Sequence, residues 1–162
     1  MGIGPYPSTS SSPSMPPSAV SVAPKSFSAG EVVEVINKPP GSYYEATVIC
    51  RLANGSYIVE YNALLNDEEN YSFRRETVCP NDLRPLPTSI HISTTGFSVN
   101  QIVDAHDEEG WWLTKITGRK DSDPDCYFVY CYWNPVDCDV EFHSGELRVH
   151  QEWIGGDDWV LL

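Results

Sequence analysis

Basic residues are scarce in this chain. Ten Lys and Arg stand against 23 Asp and Glu, which gives a formal net charge of −13 over 162 residues. Affinity for nucleic acid comes largely from Lys and Arg displacing counterions from phosphates. Outside Arg74-Arg75 and Arg119-Lys120 there is no basic cluster, so direct nucleic-acid binding is not expected. The same balance attracts basic partners and speeds their encounter, although negative charge also serves solubility alone. No apolar run approaches the ~18 residues of a membrane span. The first residues carry no basic segment followed by an apolar stretch, so neither a membrane partner nor a secretory signal is expected. A Gly-rich phosphate loop, a nucleophile elbow and a His-Glu-x-x-His pair are all missing. Their absence points away from an enzyme, a cofactor or a small-molecule substrate.

Zinc spacing is missing too. The five cysteines include no C-x-x-C pair and are odd in number, as suits reduced thiols rather than a zinc ribbon or disulfide framework. Cys126, Cys131 and Cys138 with His143 could hold a metal only by converging from several strands, and no metal is expected. Asp121, Asp123 and Asp125 alternate as calcium-binding oxygens can, but the Gly and terminal Glu of a calcium loop are absent, so this is read as a solvated turn.

The chain itself is of two kinds. Residues 1–26 are rich in Pro and Ser, carry one charge and show no apolar period, the composition of a disordered arm. From Phe27 onward, short runs rich in Val, Ile, Tyr, Phe and Trp alternate with Gly, Pro, Asn and Asp clusters. These are strand and turn signals. Strands are expected at 31–36, 43–51, 56–61, 73–78 and 83–84, and again at 101–106, 111–117, 126–132, 138–142 and 147–149. No stretch sustains a helical period.

The second set repeats the first. Phe27-Ser28-Ala29-Gly30 is echoed by Phe97-Ser98-Val99-Asn100, Val32-Val33-Glu34-Val35 by Ile102-Val103-Asp104-Ala105, and Tyr43-Tyr44 by Trp111-Trp112. Tyr57-Ile58-Val59 then answers to Tyr127-Phe128-Val129, and Leu83-Arg84 to Leu147-Arg148. A repeating unit of roughly 55–70 residues with about five strands is one small barrel. The expected organisation is an arm at 1–26, a first barrel at 27–87, a connector at 88–96 and a second barrel at 97–162.

On these residues the chain resembles the plant Agenet family. "FSAGEVVEV", Tyr43-Tyr44 before Ala46-Thr47-Val48, "YIVEY" and "LRPLP" look like a first Agenet repeat. "FSVNQIVDAHDEEGWWLTKI" and "YFVYCYW" look like a second, and the segment from Glu146 to Trp153, with Trp159 beyond it, like the family's end. The resemblance covers about residues 27–160. It implies an all-β fold of two tandem Tudor-like (SH3-like) five-stranded barrels packed together. It also implies a nuclear chromatin reader of a methylated lysine on the histone H3 tail, with the silencing mark at lysine nine favoured. The alternatives are a scaffold for an unmethylated basic peptide and, less favoured, a nucleic-acid-binding barrel.

A methylated ammonium keeps its charge while losing hydrogen-bond donors, so aromatic faces can surround it at roughly 0.5–2 kcal/mol each. Carboxylates beside the cage would hold the rest of a basic tail. The Tudor pattern implies cage positions at Tyr44 and Tyr61 in the first unit, with Ile36, Asn62 and Leu64 where a third face commonly stands. In the second unit it implies Trp112, His106 and Cys131, the last followed by Tyr132 and Trp133. Glu45, Asp67, Glu68, Glu69, Asp104, Asp107 and Glu108 are the expected acidic groove. Tyr43 and Trp111, one residue out of phase with the cage positions, are expected in the core. Core packing is also the plain alternative for the cage aromatics. Unit one is favoured as the mark site, with unit two as groove and support. His106, set among carboxylates, is a candidate for pH modulation of tail binding, against the alternative of an exposed loop histidine.

Overall fold

The computed structural model describes residues 2, 26–67, 72–88, 96–107, 109–130 and 139–162, with backbone alone at 66 and 67. In the first repeat the β-branched and aromatic runs form β1 (Val32–Ile36), β2 (Ser42–Arg51), β3 (Tyr57–Asp67), β4 (Ser72–Val78) and β5 (Leu83–Pro85). All pairings are antiparallel, in the order β5-β1-β2-β3-β4. The second repeat forms β6 (Ile102–Asp107), β7 (Gly110–Arg119), β8 (Cys126–Tyr130), β9 (Asp139–His143) and β10 (Leu147–Val149), in the matching order β10-β6-β7-β8-β9.

Side chains alternate across each strand, and one face of each bent sheet is apolar. Val33, Val35, Ala46, Val48, Val59 and Leu83 fill the first core. Val103, Ala105, Ile116, Val129 and Leu147 fill the second. A register shift between Val48 and Cys50, matched between Ile116 and Gly118, marks a bulge in each long strand. Such bulges bend a strand so that a small sheet can curl on itself.

Each barrel is entered by the same latch. The backbone N–H of Phe27 donates to the Tyr57 hydroxyl at 3.2 Å, and that of Phe97 to the Tyr127 hydroxyl at 3.2 Å. The rings of each pair meet edge to face. The following turn needs a positive φ, supplied by Gly30 (87°) and by Asn100 (69°). Asn is among the few residues with a side chain that tolerate this region.

The barrels are joined edge to edge. Ser42 and Tyr43 of β2 pair with Trp112 and Trp111 of β7, so one sheet runs through both units. A further hairpin, β11 (Gln151–Gly155) with β12 (Asp158–Leu161), was not among the expected strands. It lies within the segment assigned to the second unit, yet Trp153 packs on the first core and meets Phe27 at 6.3 Å. β3 also runs past its expected end at 61, pairing Leu65 with Phe73. Both of these side chains are exposed.

Tyr43 is buried, as expected, although it lies outside either barrel's apolar cluster, whereas Trp111 is only half-buried. They lie at the seam, Tyr43 buried beneath the Arg84 guanidinium at 4.0 Å and Trp111 beneath that of Arg148 at 4.3 Å. Each ring faces away from its own barrel's apolar cluster and is covered there by an arginine of its own repeat.

Candidate functional site

Three of the expected cage residues come together across the seam. Tyr44 lies on the core-facing side of β2, paired with Val35. Its ring meets Tyr61 at 6.1 Å and 88°, and Trp112 of the second barrel at 6.2 Å and 81°. Two aromatic positions expected in separate cages thus form one cluster. Tyr44 and Trp112 are half-buried, whereas Tyr61 is 3% exposed. Tyr61 is therefore the floor of the cluster, and the other two are its accessible walls.

Sequence places a glycine where β7 passes close to Tyr43 and Tyr44. A Cβ on Gly110 would stand 2.8 Å from the Tyr44 ring and 3.0 Å from the Tyr43 carbonyl oxygen. Only a residue without a side chain lets the ring come this close to β7.

The cluster is anchored on the first barrel and acidic on the second. The Tyr61 hydroxyl donates to Glu76, and burial, together with that bond, pushes its pKa up. Burial alone would raise the pKa of Glu76, but the Tyr61 hydroxyl and Lys38 (3.3 Å) outweigh it and hold it below the usual carboxylate range. The Tyr44 hydroxyl is pushed up first by burial, then by the charges of Glu109 and Asp107. These two carboxylates belong to the β6–β7 turn, so the second barrel brings negative charge to the first barrel's aromatic wall.

Other expected site residues lie elsewhere. Glu45 and Asn62 are bonded to each other at 2.8 Å, with Thr47 donating to Asn62 at 3.0 Å. They occupy the outer face of the sheet, opposite Tyr44 and Tyr61. Leu64 packs against the first core. His106 pairs with Trp111 across β6 and β7 and meets its ring at 4.8 Å. Cross-strand partners share a face, so His106 and Trp112 lie on opposite faces and cannot wall one cage. Asp104 is fully buried between Arg148 (2.9 Å) and His150 (2.7 Å), which removes it from any groove open to a tail. Tyr132, Cys131, Trp133, Glu68, Glu69 and Glu108 lie outside the described residues, as does the side chain of Asp67.

A charged cluster at the seam escaped the sequence reading. Glu34 accepts from Arg84 at 2.9 Å and from Arg148 at 2.7 Å, and Arg84 donates to the Gln151 carbonyl at 2.7 Å. His150 lies between Asp104 and Glu152, each ring nitrogen 2.7 Å from a carboxylate oxygen. Glu34 and Asp104 are equivalent in the two repeats, as are Arg84 and Arg148. Their matching places in "VVEV…LR" and "IVDA…LR" were visible, but nothing in those motifs told buried from solvated.

Comparisons with known proteins agree with this architecture. Residues 30–88 match the Agenet domain family. Protein AGENET DOMAIN (AGD)-CONTAINING P1 of Arabidopsis thaliana is 32% identical over 139 residues, which is 84% of this chain and 26% of that protein. The chain thus spans about a quarter of this curated relative's length. Two solved structures share the fold at 24% identity. The ADCP1 tandem Agenet domain 3-4 superposes with a TM-score of 0.70, covering 84% of this chain and 88% of the other. The AGD34 portion of Arabidopsis thaliana AGDP1 gives 0.71, covering 84% and 90%. With the domain matched over its first barrel and a 32% identical Agenet relative aligned over 84% of its length, the chain belongs to the Agenet domain family.

Proposed function

We propose that this Agenet pair is a chromatin reader that binds a methylated lysine on a histone H3 tail, with lysine nine favoured. The observation that carries this reading is the Tyr44 ring, set nearly perpendicular to both Tyr61 and Trp112, with Asp107 and Glu109 acting on its hydroxyl. Perpendicular aromatic walls leave a corner whose faces attract a desolvated cation. Neighbouring carboxylates favour a cation over a neutral apolar group, and the chain's charge of −13 favours a basic tail. On this reading the mark site is shared between the barrels, with Trp112 a wall rather than a support. The protein would act as a binding module in the nucleus and catalyse nothing.

Calorimetric titration tests this with H3 tail peptides unmodified and mono-, di- or trimethylated at lysine nine. Wild type should prefer a methylated peptide. Tyr44→Ala and Trp112→Ala should each lose that preference, by roughly tenfold or more if one aromatic face is removed. Equal weak binding to all four peptides, untouched by either change, would instead make the protein a scaffold sensing only positive charge.

A further inference from the structure

We infer that His150 is a positioning residue, an imidazolium clasp between the barrels whose loss of a proton loosens the seam and weakens binding at the aromatic site. This rests on the proposed function only for its binding consequence; the clasp itself rests on geometry.

His150 is fully buried, and its two ring nitrogens lie 2.7 Å from Asp104 of β6 and from Glu152 of β11. A neutral imidazole has one N–H. It could donate to one carboxylate and would turn a lone pair toward the other. The imidazolium donates to both. Every charged or titratable group facing this point fits the same conclusion. Glu34 of β1, Asp104 and Glu152 supply three negative charges, while Arg84 of β5 and Arg148 of β10 supply two positive ones. A protonated His150 closes the balance. Tyr43 of β2, whose ring meets that of His150 at 5.8 Å and a tilt of 51°, stays neutral, burial pushing its pKa up to about 12.

The residues that the clasp ties together are those that set the site. Asp104 sits on β6, which pairs with β7, and β7 carries Trp111, Trp112 and Gly110. Tyr43 precedes Tyr44 on β2 and pairs with Trp111. Glu152 lies on β11, beside Trp153, which packs on the first core. Removing the proton leaves one uncompensated negative charge inside this joint. Burial alone would lower the pKa of His150, but bonds to Asp104 and Glu152 and their charges outweigh it and raise it. A raised folded pKa means that the stabilisation is fully present below the unfolded value and is lost as pH rises through the folded one. If only the aligned joint binds the tail, apparent affinity falls with the aligned fraction, by at most tenfold per pH unit for one proton.

Three measurements on the whole chain test this. Long-range nitrogen–proton NMR spectra of the His150 ring at pH 7 should show both nitrogens protonated, with deprotonation only at higher pH. A neutral tautomer at pH 7 would overturn the clasp, and this holds even if variants fail to fold. Glu152→Gln, which alters the exposed end of the network, should lower the pH at which the ring titrates; an unmoved titration also counts against it. Thermal midpoints, and affinity for the H3 peptide dimethylated at lysine nine, should fall with alkaline pH in wild type and stay flatter in His150→Gln. Parallel profiles would overturn the coupling. If the peptide binds at no pH, the proposed function fails, while ring spectra and midpoints still decide the clasp.

Discussion

The two barrels are alike where they need only to be barrels and unlike where they meet. Phe27 with Tyr57 and Phe97 with Tyr127 make the same latch at the same 3.2 Å. Both long strands bulge at the same place. At the seam the equivalence breaks. Arg84 is 2% exposed and reaches Glu34 and the Gln151 carbonyl, whereas its counterpart Arg148 is 20% exposed and bridges Glu34 and Asp104. The terminal hairpin packs on the first core through Trp153. A duplicated unit becomes a pair with one composite surface by changing what it shows its neighbour, not by changing its core.

The largest expected effect separates the two arginines. Arg84→Ala leaves Glu34 in a buried site with one partner fewer and strips the cover from Tyr43. Breaking a buried pair in this way should cost about 3–5 kcal/mol. Arg148→Ala leaves Glu34 with Arg84 and Asp104 with His150, and the site is partly solvated. Its cost should be nearer about 1.5–3 kcal/mol, the range for a hydrogen bond to a charged group. Denaturant unfolding of both variants checks the difference. Equal losses would mean that the seam is as symmetric as the sequence repeat.

Next in size is a contrast between two glycines of β7. Gly110→Ala forces a methyl into the Tyr44 ring and the Tyr43 carbonyl. Overpacking of this kind costs about 1–3 kcal/mol, and moving one aromatic wall should weaken methylated-peptide binding roughly tenfold. Gly118→Ala meets only Phe128, at 3.7 Å, and should stay within about 0.5 kcal/mol with unchanged binding. If Gly110→Ala shifts stability but not affinity, Tyr44 is a packing residue and the composite site is wrong.

This split between core and seam also explains what was legible in the sequence. The repeat and the alternation of Val33, Val35 and Val48 are local patterns, and they fixed strands and barrels. The Tyr44 and Trp112 positions were legible through family resemblance, but their convergence was not, because it depends on β2 pairing with β7. Glu34 and Asp104 sit between apolar neighbours as any solvent-facing strand residue does; docking of the second barrel buries them. The terminal hairpin did have a signal. Gln151-Glu152-Trp153-Ile154 and Asp158-Trp159-Val160-Leu161 flank Gly155-Gly156-Asp157, two strand-like runs about a glycine turn.

The smallest expected effect asks whether the barrels are energetically separate. Tyr57→Phe and Tyr127→Phe each remove one hydroxyl that accepts a buried backbone N–H, without disturbing the ring contacts. Each should cost about 1 kcal/mol. Equal single losses follow if the latches are the same device twice. The double variant then discriminates further. Sites that share no partner add within about 0.3–0.5 kcal/mol, so a summed loss makes the latches independent although one sheet runs through both barrels. A smaller or larger loss would mean that strain passes along β2 and β7. The seam, rather than either core, would then set how the whole pair unfolds.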